Sequence, residues 1–152
     1  MTQDLQPATG AGGGERATSG PVRPAPLRTD ESEGFWAAAA EGRLAIQRCD
    51  ACGRWQHPPR AMCPACHSVA QSFVDVAGTG EVYSWSLLHH PRHPSFEYPV
   101  VAVLVTLDEG PRVLSNLVGV APSDVRIGLP VEATSAPTAE GDVPVFRIRE
   151  AS

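Results

Sequence analysis

Four cysteines, the only ones in the chain, stand as Cys49-Asp50-Ala51-Cys52 and Cys63-Pro64-Ala65-Cys66. No other feature narrows the possible folds as much. Two C-x₂-C turns separated by ten residues can bring four thiolates to one tetrahedral centre, each sulfur about 2.3 Å from a metal ion. Gly53 follows the first pair, where a positive φ is useful, and His67 takes the matching place after the second. Disulfides suit an exported chain, and the N-terminus lacks the basic start, apolar core and cleavage site of an export signal. A thioredoxin-type motif needs one C-x-x-C at a strand-to-helix turn, whereas two pairs on hairpins are expected here. Ligand type alone does not separate zinc from iron. The expectation is a structural zinc held by Cys49, Cys52, Cys63 and Cys66, with iron as the alternative. Four protein ligands leave no open position for a substrate.

The rest of the chain divides around this block. Residues 1–28 hold five Gly and four Pro but only Leu5, Val22 and Leu27 as larger aliphatics. Such a segment buries too little apolar surface to offset its ordering entropy, and it reads as a disordered tail. A helix is predicted within 29–42, over 30–41. Thr29 or Asp30 would cap it, Glu33 stands in capping-box spacing, Phe35, Trp36, Ala39 and Ala40 make its apolar stripe, and Gly42 stops it. Residues 43–68 form the cysteine ribbon. From 69 to 152 the pattern is all β, with segments at 72–76, 80–89, 98–108, 112–120, 129–133 and 143–149. Five or six short strands with no further helix point to a small Greek-key barrel.

Charge excludes several functions. The formal net charge is -5, which opposes nonspecific binding to phosphate backbones. All 12 cations are arginine, so no lysine can serve as a nucleophile or form a Schiff base. The cysteine block is locally basic, with four Arg against Asp50, whereas 69–152 carries five Arg against ten acids. No apolar run approaches the ~20 residues of a membrane helix. No Gly-x-Ser-x-Gly elbow is present, and the cysteines are committed to metal. The expectations are therefore a cytoplasmic protein that is not itself an enzyme, with no membrane or nucleic-acid partner.

Taken together, Phe35-Trp36, Glu41-Gly42-Arg43-Leu44, Gln47-Arg48-Cys49, Pro58-Pro59-Arg60 and the second cysteine pair make a specific string. Gly78-Thr79-Gly80-Glu81-Val82-Tyr83-Ser84-Trp85, Asn116-Leu117-Val118-Gly119 and Val125-Arg126-Ile127-Gly128-Leu129-Pro130-Val131 follow it in order. Over about residues 30–150 the chain resembles a family, long catalogued as a domain of unknown function, that joins an N-terminal helix and a rubredoxin-like zinc ribbon to a C-terminal OB-fold. The resemblance implies a mainly β protein of that architecture. It also implies a role in acyl-CoA metabolism, as a non-catalytic subunit that stabilises a thiolase-like enzyme and helps shape its CoA channel. Members accompany condensing enzymes, hydratases or aldolases. On that basis acyl-CoA is expected at an interface shared within a hetero-oligomer.

Two groups of residues are candidates for CoA or partner contact. Arg54 and Arg60 flank the ribbon and could meet phosphates. His89, Arg92, Phe96 and Tyr98 lie in a Pro-stiffened stretch, His89 to Pro99, and long loops in compact domains are often functional. Trp55 and Trp85 lie in predicted strands and are expected in the core. Asn116 needs a hydrogen-bond partner if buried. The alternative function is a single-stranded nucleic-acid-binding OB-fold with structural zinc, which would need a positive groove with exposed aromatics.

Overall fold

In β5, Val100–Leu107, every second residue of Val-Val-Ala-Val-Leu-Val-Thr-Leu turns inward, placing Val101, Val103, Val105 and Leu107 in the core. That alternation is the period of a strand with one covered face. A computed structural model, describing residues 22–150, shows how the other elements gather round it. After helix α1, Glu33–Ala40, come β1, Ala45–Cys49; β2, Trp55–Gln56; β3, Gln71–Asp75; and β4, Thr79–Leu88. Beyond β5 lie β6, Arg112–Asn116, a 3₁₀ turn at Pro122–Asp124, β7, Pro130–Thr138, and β8, Gly141–Ile148. Among the described residues no helix is long and apolar enough to cross a membrane.

Five antiparallel strands in the order β6-β5-β4-β7-β8 make the barrel. It closes where Leu117 meets Phe146 in a parallel bridge and Val118 N–H donates to Phe146 O at 2.8 Å. Phe146 is fully buried there, a burial contributing on the order of 1.5–3 kcal/mol. The expected barrel of five or six strands therefore has five. The segment predicted at 72–76 forms β3 and pairs with β1 instead, Ala45 opposite Asp75 and Cys49 opposite Gln71, giving a second sheet β2-β1-β3. Alternating hydrophobicity marks a strand but does not choose its neighbour.

Helix α1 joins the two sheets, lying against β8 and β1. Phe35 of α1 and Leu44 and Ile46 of the ribbon belong to the same buried cluster as the barrel valines. Gly34 allows this contact, since a Cβ there would stand 2.2 Å from the Phe73 ring. The helix ends as expected, with Gly42 at φ 75° and two hydrogen bonds, Gly42 N–H donating to Ala39 O and Arg43 N–H to Ala38 O. Its start is later than predicted. Thr29 to Ser32 forms a turn in which Thr29 N–H donates to Ser32 Oγ at 2.9 Å, so Asp30 caps nothing and Ser32 precedes the first helical residue. The buried stripe is Phe35, Ala38 and Ala39, with Trp36 half-buried and Ala40 exposed.

Two further expectations change. Of the tail predicted over 1–28, residues 1–21 lie outside the described residues, and 22–28 run along the barrel. Arg23 O accepts from Ala139 N at 3.2 Å, Ser95 Oγ donates to Val22 O at 2.7 Å, and the Arg23 guanidinium donates to Asn116 Oδ1 at 3.3 Å. Backbone pairing and one guanidinium hold a segment that has little apolar surface, and they satisfy Asn116. Trp85 is the other correction. It is 36% exposed because β4 pairs with β7 only from Thr79 to Glu81, passes a bulge between Val82 and Ser84, and continues beside β5 alone. Its inner face there has no strand to cover it. Trp55 is half-buried, with the Arg48 guanidinium 5.2 Å from its ring.

Candidate metal centre and adjoining cleft

The two cysteine turns repeat each other atom for atom along the backbone. Gly53 N–H donates to Cys49 O at 2.8 Å and Cys49 N–H to Arg54 O at 2.9 Å. His67 N–H donates to Cys63 O at 2.9 Å and Cys63 N–H to Ser68 O at 2.9 Å. Gly53 has φ 73° and His67 φ 60°, so the histidine adopts the left-handed conformation that its position demands. Each turn sets one sulfur inward and one outward: Cys49 and Cys63 are buried, Cys52 and Cys66 exposed.

All four sulfurs lie within 4.8 Å of one another. Cys49 to Cys66 is 3.6 Å and Cys52 to Cys63 is 3.7 Å. A disulfide requires about 2.05 Å, whereas a tetrahedron of sulfurs about 2.3 Å from a central ion has edges of about 3.8 Å. The donor set and its spacing fit a tetrathiolate metal centre. Among the described residues this is the one cluster of metal-ligating side chains, and the histidines of the 89–93 stretch form none.

Backbone amides prepare the thiolates. The Cys66 N–H, followed by that of Ala65, lowers the Cys63 thiol to about 6. The Cys52 N–H, then that of Ala51, lowers Cys49. At Cys66 the Ser68 N–H pulls the same way, but the sulfurs of Cys49, Cys52 and Cys63 push it up to about 12. Four sulfurs this close cannot all ionise without a cation between them. The protein supplies the amide dipoles, and a bound divalent ion would supply the missing positive charge.

A row of glutamines ties the ribbon loop down. Gln47, 4% exposed, accepts from Arg60 N at 2.7 Å and donates to Arg60 O at 3.0 Å. Gln56 Nε2 donates to Gln47 Oε1 at 2.6 Å and to Gln71 Oε1 at 3.1 Å, and Gln71 Nε2 donates to Ser68 O at 3.0 Å. The backbone of Arg60 and the exit of the second turn are thereby fixed to the sheet. Sequence reasoning did not single out these glutamines, although three Gln at strand positions are a visible signal of a polar ladder.

The other candidate residues separate onto two surfaces. Arg54 and Arg60 line a cleft of about 640 Å³ where the ribbon faces the β5–β6 turn, together with Arg112 and Glu109, which sequence reasoning missed. Nothing local marks Arg112, which reaches the cleft only because β6 begins beside the ribbon. Phe96 lines a different hollow with Arg23 and Asn116. Tyr98 Oη accepts from His93 N–H at 2.7 Å and donates to Pro91 O at 2.9 Å. Phe96 packs under the Arg23 guanidinium at 4.9 Å. Both aromatics are half-buried and hold the loop in shape, while His89 and Arg92 stand exposed on it.

A four-cysteine ribbon mounted on an OB-type barrel through a shared core is the class of protein that this geometry defines. Family models sharpen it: the ChsH2 rubredoxin-like zinc ribbon domain matches residues 36–69, and the ChsH2 C-terminal OB-fold domain matches 73–135. The chain is 45% identical to a solved Ltp2-ChsH2(DUF35) aldolase chain with a TM-score of 0.77, covering 82% of this chain and 98% of that one. A DUF35 domain-containing scaffold protein of Methanocaldococcus jannaschii is 35% identical over 88 residues, 57% of this chain and 62% of the relative. A probable enoyl-CoA hydratase alpha subunit of Thermomonospora curvata is 48% identical over 110 residues, 72% of this chain but 34% of the relative. The chain thus spans about a third of the length of that hydratase subunit. It belongs to the ChsH2-type DUF35 family.

Proposed function

We propose that this chain is a non-catalytic accessory subunit of an acyl-CoA-processing complex. In that role it stabilises a thiolase-like enzyme of condensing or retro-aldol type and helps form its CoA channel. The observation that carries the reading is the near-complete match to a chain of an aldolase complex, joined to a tetrathiolate centre whose four ligands leave no position for a substrate. Relatives named as scaffold proteins and as a hydratase alpha subunit support it. Cys49, Cys52, Cys63 and Cys66 would hold one structural zinc ion, a chemistry suited to a reducing cytoplasm. Its contribution when bound is a cross-link between the two turns.

The β4–β5 loop is the proposed docking element, with His89 and Arg92 exposed and Phe96 and Tyr98 maintaining its shape. A pre-shaped loop loses little entropy on docking. Affinity purification from native cells, with the retained proteins identified by mass spectrometry, tests the reading. A thiolase-like enzyme should be retained by the parent and lost from the Phe96→Ala/Tyr98→Ala double variant, with metal content unchanged. Retention of no acyl-CoA enzyme, or robust turnover of acyl-CoA esters by the isolated chain, would refute it.

A further inference from the structure

The barrel keeps one strand edge open. Val82 is the last residue of β4 met from the β7 side: its N–H donates to Leu129 O at 3.0 Å, and its O accepts from Gly128 N–H at 2.7 Å. Beyond it, residues 84–88 pair with β5 alone among the described residues. Val101 O accepts from Leu117 N–H on the β6 side. Leu87, opposite Val101 in register, therefore turns its own N–H and C=O away from β5, to the open edge. The same parity holds for Trp85 opposite Val103.

Natural sheets blunt such edges with charge, proline or short length. The ribbon sheet does so: β2 is two residues long and runs into Pro58-Pro59, and β3 ends at Asp75. Ser84-Trp85-Ser86-Leu87-Leu88 has no charge, no Pro and no Gly. In a chain of net charge -5, it is a stretch that a second copy can approach without like-charge repulsion. Trp85 and Leu87 stand opposite the core residues Val103 and Val101, and so on the inner face of the sheet. Yet Trp85 is exposed and Leu87 only half-buried. Two inward apolar side chains on an unpaired edge lack one neighbouring strand.

We propose that this edge pairs with the same edge of a second copy of the chain, antiparallel, about a twofold axis at Ser86. That register sets Trp85 opposite Leu87 of the second copy and Leu87 opposite its Trp85, so each fills the gap on the other's inner face. Ser86, on the outer face, meets its own counterpart. The pairing also carries Arg92 of each copy towards Glu81 of the other, both of them exposed. Opposite charges thus meet at both ends of an uncharged strand pair, a complementarity that the chain offers to itself. The contact is smaller than the ~1,600 Å² of a standard interface, which makes the dimer weak and concentration-dependent. It goes beyond the accessory role and does not depend on it.

Sedimentation velocity on the metal-loaded full chain, from about 5 µM to about 500 µM, tests this. The parent should shift from monomer to dimer across that range. Ser86→Glu and Ser86→Lys each set like charges face to face at the axis and should each weaken dimerisation about tenfold. An equimolar mixture of the two variants should dimerise at least as well as the parent, because the axis then joins opposite charges. Ser86 is exposed, so neither change enters the core, and metal content with circular dichroism confirms the fold. A parent that stays monomeric throughout, variants that dimerise like the parent, or a mixture that does not recover would each overturn the proposal. So would a monomeric parent that retains an acyl-CoA enzyme in the purification above while Ser86→Glu loses it, which would assign the edge to that enzyme. If the chain dimerises and the mixture recovers but no such enzyme is retained, the dimer stands and the accessory reading falls.

Discussion

The ribbon and the barrel share one core but are held together by opposite means. In the barrel, β-branched side chains alternate inward and fill the space between five strands, so apolar burial does the stabilising. In the ribbon the turns bury little beyond Cys49 and Cys63, and polar links take over: four sulfurs, a ladder of glutamines and amide-to-sulfur contacts. Short segments with few apolar residues need a metal or covalent staple, whereas a longer alternating sheet does not. The contrast predicts that the two regions fail under different insults.

Metal removal is the largest expected effect. Structural zinc sites carry apparent binding energies of about 10–16 kcal/mol, so chelation or Cys63→Ser should unfold the two turns and β1–β3. Hydrogen exchange should show lost protection at Cys49 to Asp75 and retained protection in β5. Equal loss in both regions would mean that the shared core makes them a single unit. Next in size is Phe146→Ala in the barrel seam, expected to cost about 3–5 kcal/mol by chemical denaturation with metal content per folded molecule unchanged.

Gln47→Ala is intermediate. It leaves the Arg60 N–H without its acceptor and should cost about 1–3 kcal/mol, read as a lower denaturation midpoint together with faster release of metal to a chelator. The smallest effect is a pH slope. Burial lowers the His57 pKa below its ordinary value, so the folded chain keeps the ring neutral where the unfolded chain takes up a proton. Stability contributed by the neutral ring is present above the unfolded pKa of about 6.5 and falls as the pH drops below it. His57→Gln should flatten that part of the stability curve between pH 7 and pH 5; an unchanged slope would assign it to other groups.

Features with a short range were legible in the sequence. The cysteine spacing announced the centre, Gly53 announced the positive φ of the first turn, and Gly42 announced the helix stop; His67, a residue that fits that conformation less well, adopts it all the same in the second turn. The valine alternation of β5 was equally plain. What escaped were choices between distant partners. Residues 72–76 read as a strand, yet no local pattern shows that β1 rather than the barrel receives it. Trp85 has the profile of a core residue and is exposed because β7 begins only at Pro130, opposite Glu81, and leaves the rest of β4 uncovered. Among the candidate contacts, Arg54 and Arg60 could be selected for their place near the cysteines, but Arg112 and Glu109 belong to the cleft through the β5–β6 turn alone.

By itself, then, the sequence determined what is governed by neighbours along the chain: ligand spacing, turn conformation, strand periodicity, and a charge pattern that gathers arginines in the ribbon. Tertiary structure alone decided which strand closes which sheet, which face of β4 is left open, and which cations from separate elements meet in one cleft. The physical reason is that backbone sterics and side-chain periodicity act over a few residues. Pairing and charge clustering depend instead on contacts between segments tens of residues apart, whose free energy is set only when the whole core has formed.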